Sequence, residues 1–164
     1  IEPKTFYPLF AMYSDKWDSV EELPDGATIG LCNDATNQAR GLNMLQAQGL
    51  ITLDDSVEVP TMYDVKENPH NFKFIEAEMS VLPQSLGDAD AICLAAGHMV
   101  NAGLSAEGYL CQSDDNDTYA VGFAVRKEDK DAEWAKEIAE VVQCDDLAEY
   151  FKTEKQGTQI PCWE

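Results

Sequence analysis

Short apolar runs alternate with helical patterns along most of the chain. Residues 27–32 (ATIGLC), 91–96 (AICLAA) and 119–125 (YAVGFAV) are continuous apolar runs bounded by turn or charged residues, which is typical of buried strands. Apolar and charged positions alternate with a period of two over residues 72–76, and residues 1–13 also have a strand-like composition. These segments predict the strands of a sheet.

Helical periodicity follows the first apolar run and returns near the end of the chain. Polar residues that favour helix starts precede the first helical segment, and Gly49 closes it. Two amphipathic helices are predicted further on, the first with Trp134 and Ile138 on one face, and Gly157 and Pro161 would end the ordered chain. Alternating strands and helices predict an α/β fold in which a mixed sheet is flanked by helices.

The charge of the chain narrows the classes of partner. Acidic side chains outnumber basic ones 31 to 11, so the formal charge is -20. That charge repels nucleic acids, and anionic membrane surfaces along most of the molecule, and we expect no nucleic acid as a partner. A hydrophobic fraction of 45% is that of a globular protein, and no apolar run approaches the roughly 18 residues that a membrane span needs.

Cysteine and acid patterns indicate neither a metal nor a cofactor. The five cysteines form no CxxC pair and the chain has two histidines, so a structural zinc site has no scaffold. Cys144 and Cys162 flank the last predicted helix and are one candidate disulfide pair. Two pairs of adjacent acids lack the alternating ligand loop of a calcium site and are expected in solvated turns: Asp114-Asp115 and Asp145-Asp146.

The polar segment after the first apolar run, NDATNQAR, carries the clearest candidate chemistry. It places Asn33, Asn37 and Arg40 at the start of a helix that leaves a buried strand. Free backbone N–H groups and the positive end of the helix dipole favour an anion there, and a guanidinium grips two carboxylate oxygens at once. In the alternative, structural interpretation, Asn33 caps the helix and Arg40 pairs with a surface acid. The residues alone leave both interpretations open.

Five segments occur in an order and spacing that together are specific. They are EELPDGATIGLCNDATNQARGLNMLQAQGLI, DVKENPHNFKFIEAEMSVLPQSLGDADA, the Gly-Leu pair at 103–104, YAVGFAVRKED and QCDDLAEYFKTEKQGTQIP. In this order they resemble the NlpA-type methionine-binding lipoprotein family, the substrate-binding proteins of methionine ABC importers. The resemblance covers residues 13–161 and corresponds to the C-terminal two-thirds of such a protein.

The resemblance implies a fold, a set of domains and a location. The fold is type II periplasmic-binding-protein-like, with the first lobe incomplete and a ligand bound between two lobes. Residues 1–13 would be a crossing strand, 14–118 the second lobe, and 119–164 the return crossing strand and C-terminal helices of the first lobe. The protein would not be an enzyme but an extracytoplasmic binding protein, lipid-anchored through a missing N-terminal segment, with an ABC transporter permease as its partner.

The resemblance also implies ligand-binding residues. Arg40 would anchor a carboxylate, Asn33 and Asn37 would orient it, and Tyr13 and His98 would lie near the cleft.

Asparagines of the family are replaced at Ala95, Gly97 and Val121. Losing such a partner leaves an ammonium group unpaired and costs about 2 to 4 kcal/mol. We therefore expect methionine or a related small amino-acid-derived or carboxylate ligand, with a ligand that lacks a conventionally bound α-amine favoured over free methionine.

Two other functions remain open. His98 near Cys93 or Cys111 would suit a cysteine-dependent enzyme, although Cys93 lies in an apolar run, where thiols are usually buried and inert. The chain would alternatively be a remnant lobe that acts only as an interaction module, and that function predicts exposed apolar surface.

Overall fold

The computed structural model describes residues 3–114 and 116–163. They form two compact units, one of residues 10–114 and one of residues 3–9 with 116–163. The start of the predicted crossing strand at residues 1 and 2, the second acid of the predicted turn at residue 115, and residue 164 lie outside the described residues.

Strands and helices alternate as the sequence predicts. The strands of the described residues are β1 (Lys4–Pro8), β2 (Phe10–Tyr13), β3 (Thr28–Cys32), β4 (Thr52–Leu53), β5 (Val65–Glu67), β6 (Lys73–Ala77), β7 (Ala91–Ala95), β8 (Cys111–Gln112), β9 (Val121–Gly122) and β10 (Gln159–Pro161). The α-helices are α1 (Ala35–Ala47), α2 (Gly97–Asn101), α3 (Glu133–Val141) and α4 (Asp145–Thr153).

The unit of residues 10–114 is built on a five-stranded mixed sheet with the order β6-β3-β7-β2-β8. Strand β3 is parallel to both β6 and β7, whereas β2 is antiparallel to β7 and β8. The carboxyl ends of β3, β6 and β7 therefore meet at one edge. Phe10, which opens β2, pairs with Ala95 at the same edge. This carboxyl edge is where ligands bind in open α/β sheets.

Helix α1 packs on one face of this sheet. Leu42 and Leu45 are fully buried in the core formed with the strands. A Cβ atom at Gly41 would lie 3.0 Å from Leu31 Cδ2 and 3.3 Å from Cys93 Cβ. Glycine at this position therefore lets the helix approach β3 and β7 closely, and places its first turn over the carboxyl edge.

The unit of residues 3–9 and 116–163 has a three-stranded antiparallel sheet with the order β10-β1-β9. Phe151 of α4 is buried and lies edge-on to Phe6 of β1, with ring centroids 5.1 Å apart. On α3 the predicted apolar face is exposed: Trp134 at 47%, Ile138 at 37% and Val141 at 68%. The periodicity thus predicted the helix correctly, but its apolar face is not buried within the described residues.

The strand predicted at residues 119–125 is shorter and more exposed than the sequence indicates. Within residues 119–125 only β9 forms a strand. Val121 is 44% exposed because β9 is an edge strand, which among the described residues pairs only with β1. The last strand, β10, ends at Pro161, one of the two residues at which the sequence predicts the end of the ordered chain, and it pairs with β1 with Phe6 opposite Pro161.

The predicted disulfide between Cys144 and Cys162 is also absent. No disulfide joins any two of the five cysteines. Cys144 is the N-cap residue of α4, and the backbone N–H of Cys162 donates to the Thr5 carbonyl at 3.1 Å. None of the helices in the described part of the chain is long and apolar enough to cross a bilayer.

Candidate functional site

The start of α1 is capped by Asp34. Its carboxylate accepts hydrogen bonds from the backbone N–H and the side-chain Nδ2 of Asn37, each at 3.0 Å. Asn33 is therefore not the cap: its backbone N–H donates to the Ala77 carbonyl at 2.9 Å, and its side chain is exposed. Because the Asp34 carboxylate already occupies one N-terminal donor and adds a negative charge, the helix start attracts a second anion less than the sequence predicted.

Gln38, in the next turn of α1, joins three segments at the carboxyl edge. Its Nε2 donates to the Cys32 carbonyl and to the Glu76 carboxylate, both at 3.0 Å. Its Oε1 accepts from the backbone N–H of Met62 at 3.2 Å. The side chain is 4% exposed, so these bonds are made away from solvent and fix α1 against the ends of β3 and β6.

Arg40 is the largest fully buried side chain of the chain's described part, with 1% exposure. Its guanidinium carbon lies 4.7 Å from the centroid of the Phe10 ring, which is itself completely buried. The ring face attracts the cation and limits its orientation. The predicted anchor residue thus lies at the carboxyl edge, against the first residue of β2.

The structure brings His98 to the same edge but not Tyr13. His98 is half-buried in the first turn of α2, directly after β7. Tyr13 pairs with Ile92, at the far end of β2 from Phe10, and its hydroxyl donates to the Ala106 carbonyl at 2.9 Å. Burial raises the pKa of the Tyr13 hydroxyl well above its usual range. Tyr13 therefore makes a structural contact away from the carboxyl edge, and the structure does not bring it together with Arg40 and His98.

Three of the five thiols are held in their neutral form by burial. Burial raises the pKa of Cys32 to about 12 and that of Cys111 to about 11, and it raises the pKa of Cys93 far above its usual value. Neutral thiols are poor nucleophiles, so neither Cys93 nor Cys111 is the activated thiolate that the predicted pairing with His98 requires. Among the described residues, no group of three or more His, Cys, Asp or Glu side chains is arranged to hold a metal ion.

Sequence reasoning missed the site roles of Gln38 and Phe10. Gln38 lies inside the predicted helix, and nothing in the neighbouring sequence indicates that its side chain makes three hydrogen bonds to other segments. Phe10 becomes a site residue only because β2 runs antiparallel to β7, which brings it beside Arg40. The N-cap of α1, by contrast, has a local signal in the sequence, because Asp is a favoured N-cap residue and Asp34 lies three residues before Asn37, whose backbone N–H donates to it.

Comparison with known proteins links this geometry to a family. Residues 3–163 match the sequence profile of the family described as NlpA lipoprotein. The chain is 38% identical over 165 residues to the D-methionine-binding lipoprotein MetQ of Salmonella typhi, an alignment that covers 98% of this chain and 60% of that protein. It is 33% identical over 161 residues to the methionine-binding lipoprotein MetQ of Bacillus subtilis, covering 94% and 59%. The chain thus spans about 60% of the length of the curated relatives it matches.

Solved structures share the fold. A nutrient binding protein from Burkholderia cenocepacia bound to methionine superposes with a TM-score of 0.88 at 30% identity, over 97% of this chain and 68% of that one. A periplasmic substrate-binding protein of an ABC transporter from Coxiella burnetii gives 0.87 at 30% identity, over 98% and 68%. These similarities confirm the predicted α/β, periplasmic-binding-protein-like fold with a mixed sheet flanked by helices.

Proposed function

Because this chain belongs to the NlpA lipoprotein family, as its sequence segments predicted, we propose that it is the solute-binding part of an extracytoplasmic component of an ABC importer. Its ligand is methionine or a related small amino-acid-derived or carboxylate compound. The protein is anchored to the cell membrane by lipid, passes its ligand to the importer's permease, and catalyses no reaction.

The observation that carries this proposal is the position of Arg40. A guanidinium with 1% exposure at the carboxyl edge of the sheet, held against Phe10, is preorganised to bind two carboxylate oxygens. The exposed amide of Asn33 and the imidazole of His98 follow neighbouring strands at this edge, and provide further polar contacts. Asn37 is a weaker candidate, because Asp34 engages its amide nitrogen.

The ligand's amino group is the point on which this chain departs from the family pattern. Ala95 and Gly97 carry no hydrogen-bonding side chain, and they flank the end of β7 at the same edge. We therefore propose a carboxylate ligand whose amine is absent, blocked or weakly bound. Free methionine is the direct competitor to this idea and must be measured beside it.

A thermal-shift screen of the full-length protein tests the proposal. Methionine, N-acetylmethionine, other N-blocked amino acids and small dipeptides are compared, because a ligand that binds only the folded state raises the melting midpoint. Asn33→Ala removes an exposed amide without disturbing the core, and we expect it to weaken the hit about 10-fold. Asn43→Ala replaces an exposed asparagine inside α1; it is the matched control and should bind as the wild type does.

The screen separates the alternatives. An N-blocked or amine-free hit that Arg40→Lys weakens supports the carboxylate ligand, and a tight methionine hit restores the function named in the relatives. No shift with any compound would overturn ligand binding.

A second candidate function is an interaction module, and the exposed face of α3 supports it. Trp134, Ile138 and Val141 present the apolar surface that this function predicts. An interaction module would show no ligand-dependent shift, so the same screen distinguishes the two functions.

A further inference from the structure

The most exposed large hydrophobic side chain in the described part of the chain is Tyr63. It is 85% exposed and makes no hydrogen bond or ring contact with another described residue, and Val59 nearby in the chain is 49% exposed. Both lie in the segment of residues 54–64 that joins β4 to β5, which we call the Tyr63 loop. Exposed aromatic side chains on a defined surface are typical of protein interfaces.

The Tyr63 loop is held in one conformation by its own polar groups. Asp54 accepts from the backbone N–H and the hydroxyl of Ser56 at 2.9 and 2.6 Å. Asp64 accepts from the backbone N–H and the hydroxyl of Thr61 at 2.8 and 2.7 Å, which closes a capping box around Tyr63. A preorganised loop loses little conformational entropy when a partner binds.

The loop is attached directly to the candidate site. The backbone N–H of Met62, the residue before Tyr63, donates to Gln38, and Gln38 also bonds the ends of β3 and β6. The Tyr63 loop is therefore bonded to the turn of α1 that precedes Arg40. Such a position suits a partner that must receive the ligand.

The charges of the loop define the chemistry of that partner. Asp54 and Asp64 are occupied by internal hydrogen bonds, which hold the pKa of each below its usual range. Asp55 and Glu58 are exposed, while the basic Lys66 beside the loop is already paired with Asp54 at 3.1 Å. An exposed tyrosine in the same loop as two exposed carboxylates complements a surface that carries arginine or lysine.

We propose that the Tyr63 loop is a docking surface for a basic segment of the importer's permease, with Tyr63 as the central contact and Asp55 and Glu58 as its acidic rim. This inference rests on the proposed importer function.

The test measures binding of the full-length protein to the purified importer in lipid nanodiscs by biolayer interferometry. Tyr63→Ala should weaken binding about 10- to 30-fold, since a central aromatic contact commonly accounts for that much. Tyr63→Phe should retain most of the affinity. Replacing Asp55 and Glu58 by lysine should slow association and reduce its dependence on salt. Tyr109→Ala, a 38% exposed tyrosine elsewhere in the same unit, is the matched control and should bind normally.

The outcomes separate this inference from the proposed function. If the wild type binds the importer and Tyr63→Ala binds equally well, the docking surface is wrong while the importer function stands. If the wild type does not bind, the importer function fails and the inference fails with it. If the wild type sediments as a dimer and Tyr63→Ala sediments as a monomer, the Tyr63 loop binds a second copy of this chain and the permease is the wrong partner.

Discussion

The guanidinium of Arg40 stacks on the ring of Phe10 with 4.7 Å between its central carbon and the ring centroid. Arg40 belongs to α1 and Phe10 opens β2, so this contact ties the helix that carries the candidate ligand residues to a neighbouring strand. Both side chains are buried, at 1% and 0% exposure. A cation on an aromatic face away from water is worth about 2 kcal/mol or more. The stack therefore contributes to stability and also sets the orientation of the guanidinium.

Phe10→Leu tests this dual role. Leucine keeps the site apolar but removes the ring face, so we expect the free energy of unfolding in urea to fall by about 1 to 3 kcal/mol. Ligand affinity should fall as well, because the guanidinium loses one constraint on its orientation. Phe72→Leu is the matched control, since Phe72 is 5% exposed in the same core. Equal affinities of both variants for the ligand would contradict a positioning role of Phe10.

Asp34→Ala tests the cap of α1. The alanine leaves the backbone N–H of Asn37 without its acceptor, and losing an N-cap typically costs about 1 kcal/mol. Urea unfolding should show this loss. The exposed Asp88 has no capping role in its side chain, so Asp88→Ala should change stability by less than about 0.5 kcal/mol. A cap loss no larger than that of Asp88→Ala would show that the helix start is satisfied by water.

Gln38→Met tests the attachment of the Tyr63 loop to α1. Methionine has nearly the same length but cannot replace the three hydrogen bonds, so stability should fall by about 1 to 3 kcal/mol. Amide exchange at Met62 should accelerate more than exchange in β3, because the loop loses its attachment while the strand keeps its ladder. Gln48→Met at the exposed C-cap of the same helix is the control. Unchanged exchange at Met62 would mean that the loop is held by its own hydrogen bonds alone.

The fold was more predictable from the sequence than the site was. Periodicity found β3, β6, β7 and α1, because each lies in a regular buried environment that its residues report locally. The sequence did not predict that the strand within residues 119–125 is only β9 and lies at a sheet edge, because an apolar run does not reveal whether neighbouring strands cover it. Site geometry depended on pairing between distant segments, which placed Phe10 beside Arg40 and left Tyr13 at the other end of β2. A sequence motif indicates which residue types a site needs, whereas the register of paired strands determines which residues lie close together.

The buried thiols predict how stability changes with pH. Burial raises the pKa of Cys32 from 9.0 to about 12, and that of Cys111 from 9.0 to about 11. Above pH 9 the unfolded chain releases these protons while the folded protein keeps them, so the unfolded state is favoured and the free energy of unfolding falls as pH rises.

Each thiol with this shift contributes a slope of up to about 1.4 kcal/mol per pH unit, and that contribution ends where the folded thiol itself ionises. Urea unfolding of the wild type, Cys32→Ala and Cys111→Ala between pH 8 and pH 11 measures how the free energy of unfolding changes with pH. The titrations of tyrosine and lysine side chains are common to all three proteins, so they cancel when each variant is compared with the wild type. We expect Cys32→Ala to flatten the curve across the whole range above pH 9, and Cys111→Ala to flatten it less towards pH 11. Parallel curves for all three proteins would show that neither thiol is held neutral by the fold, and would reopen the case for a reactive cysteine.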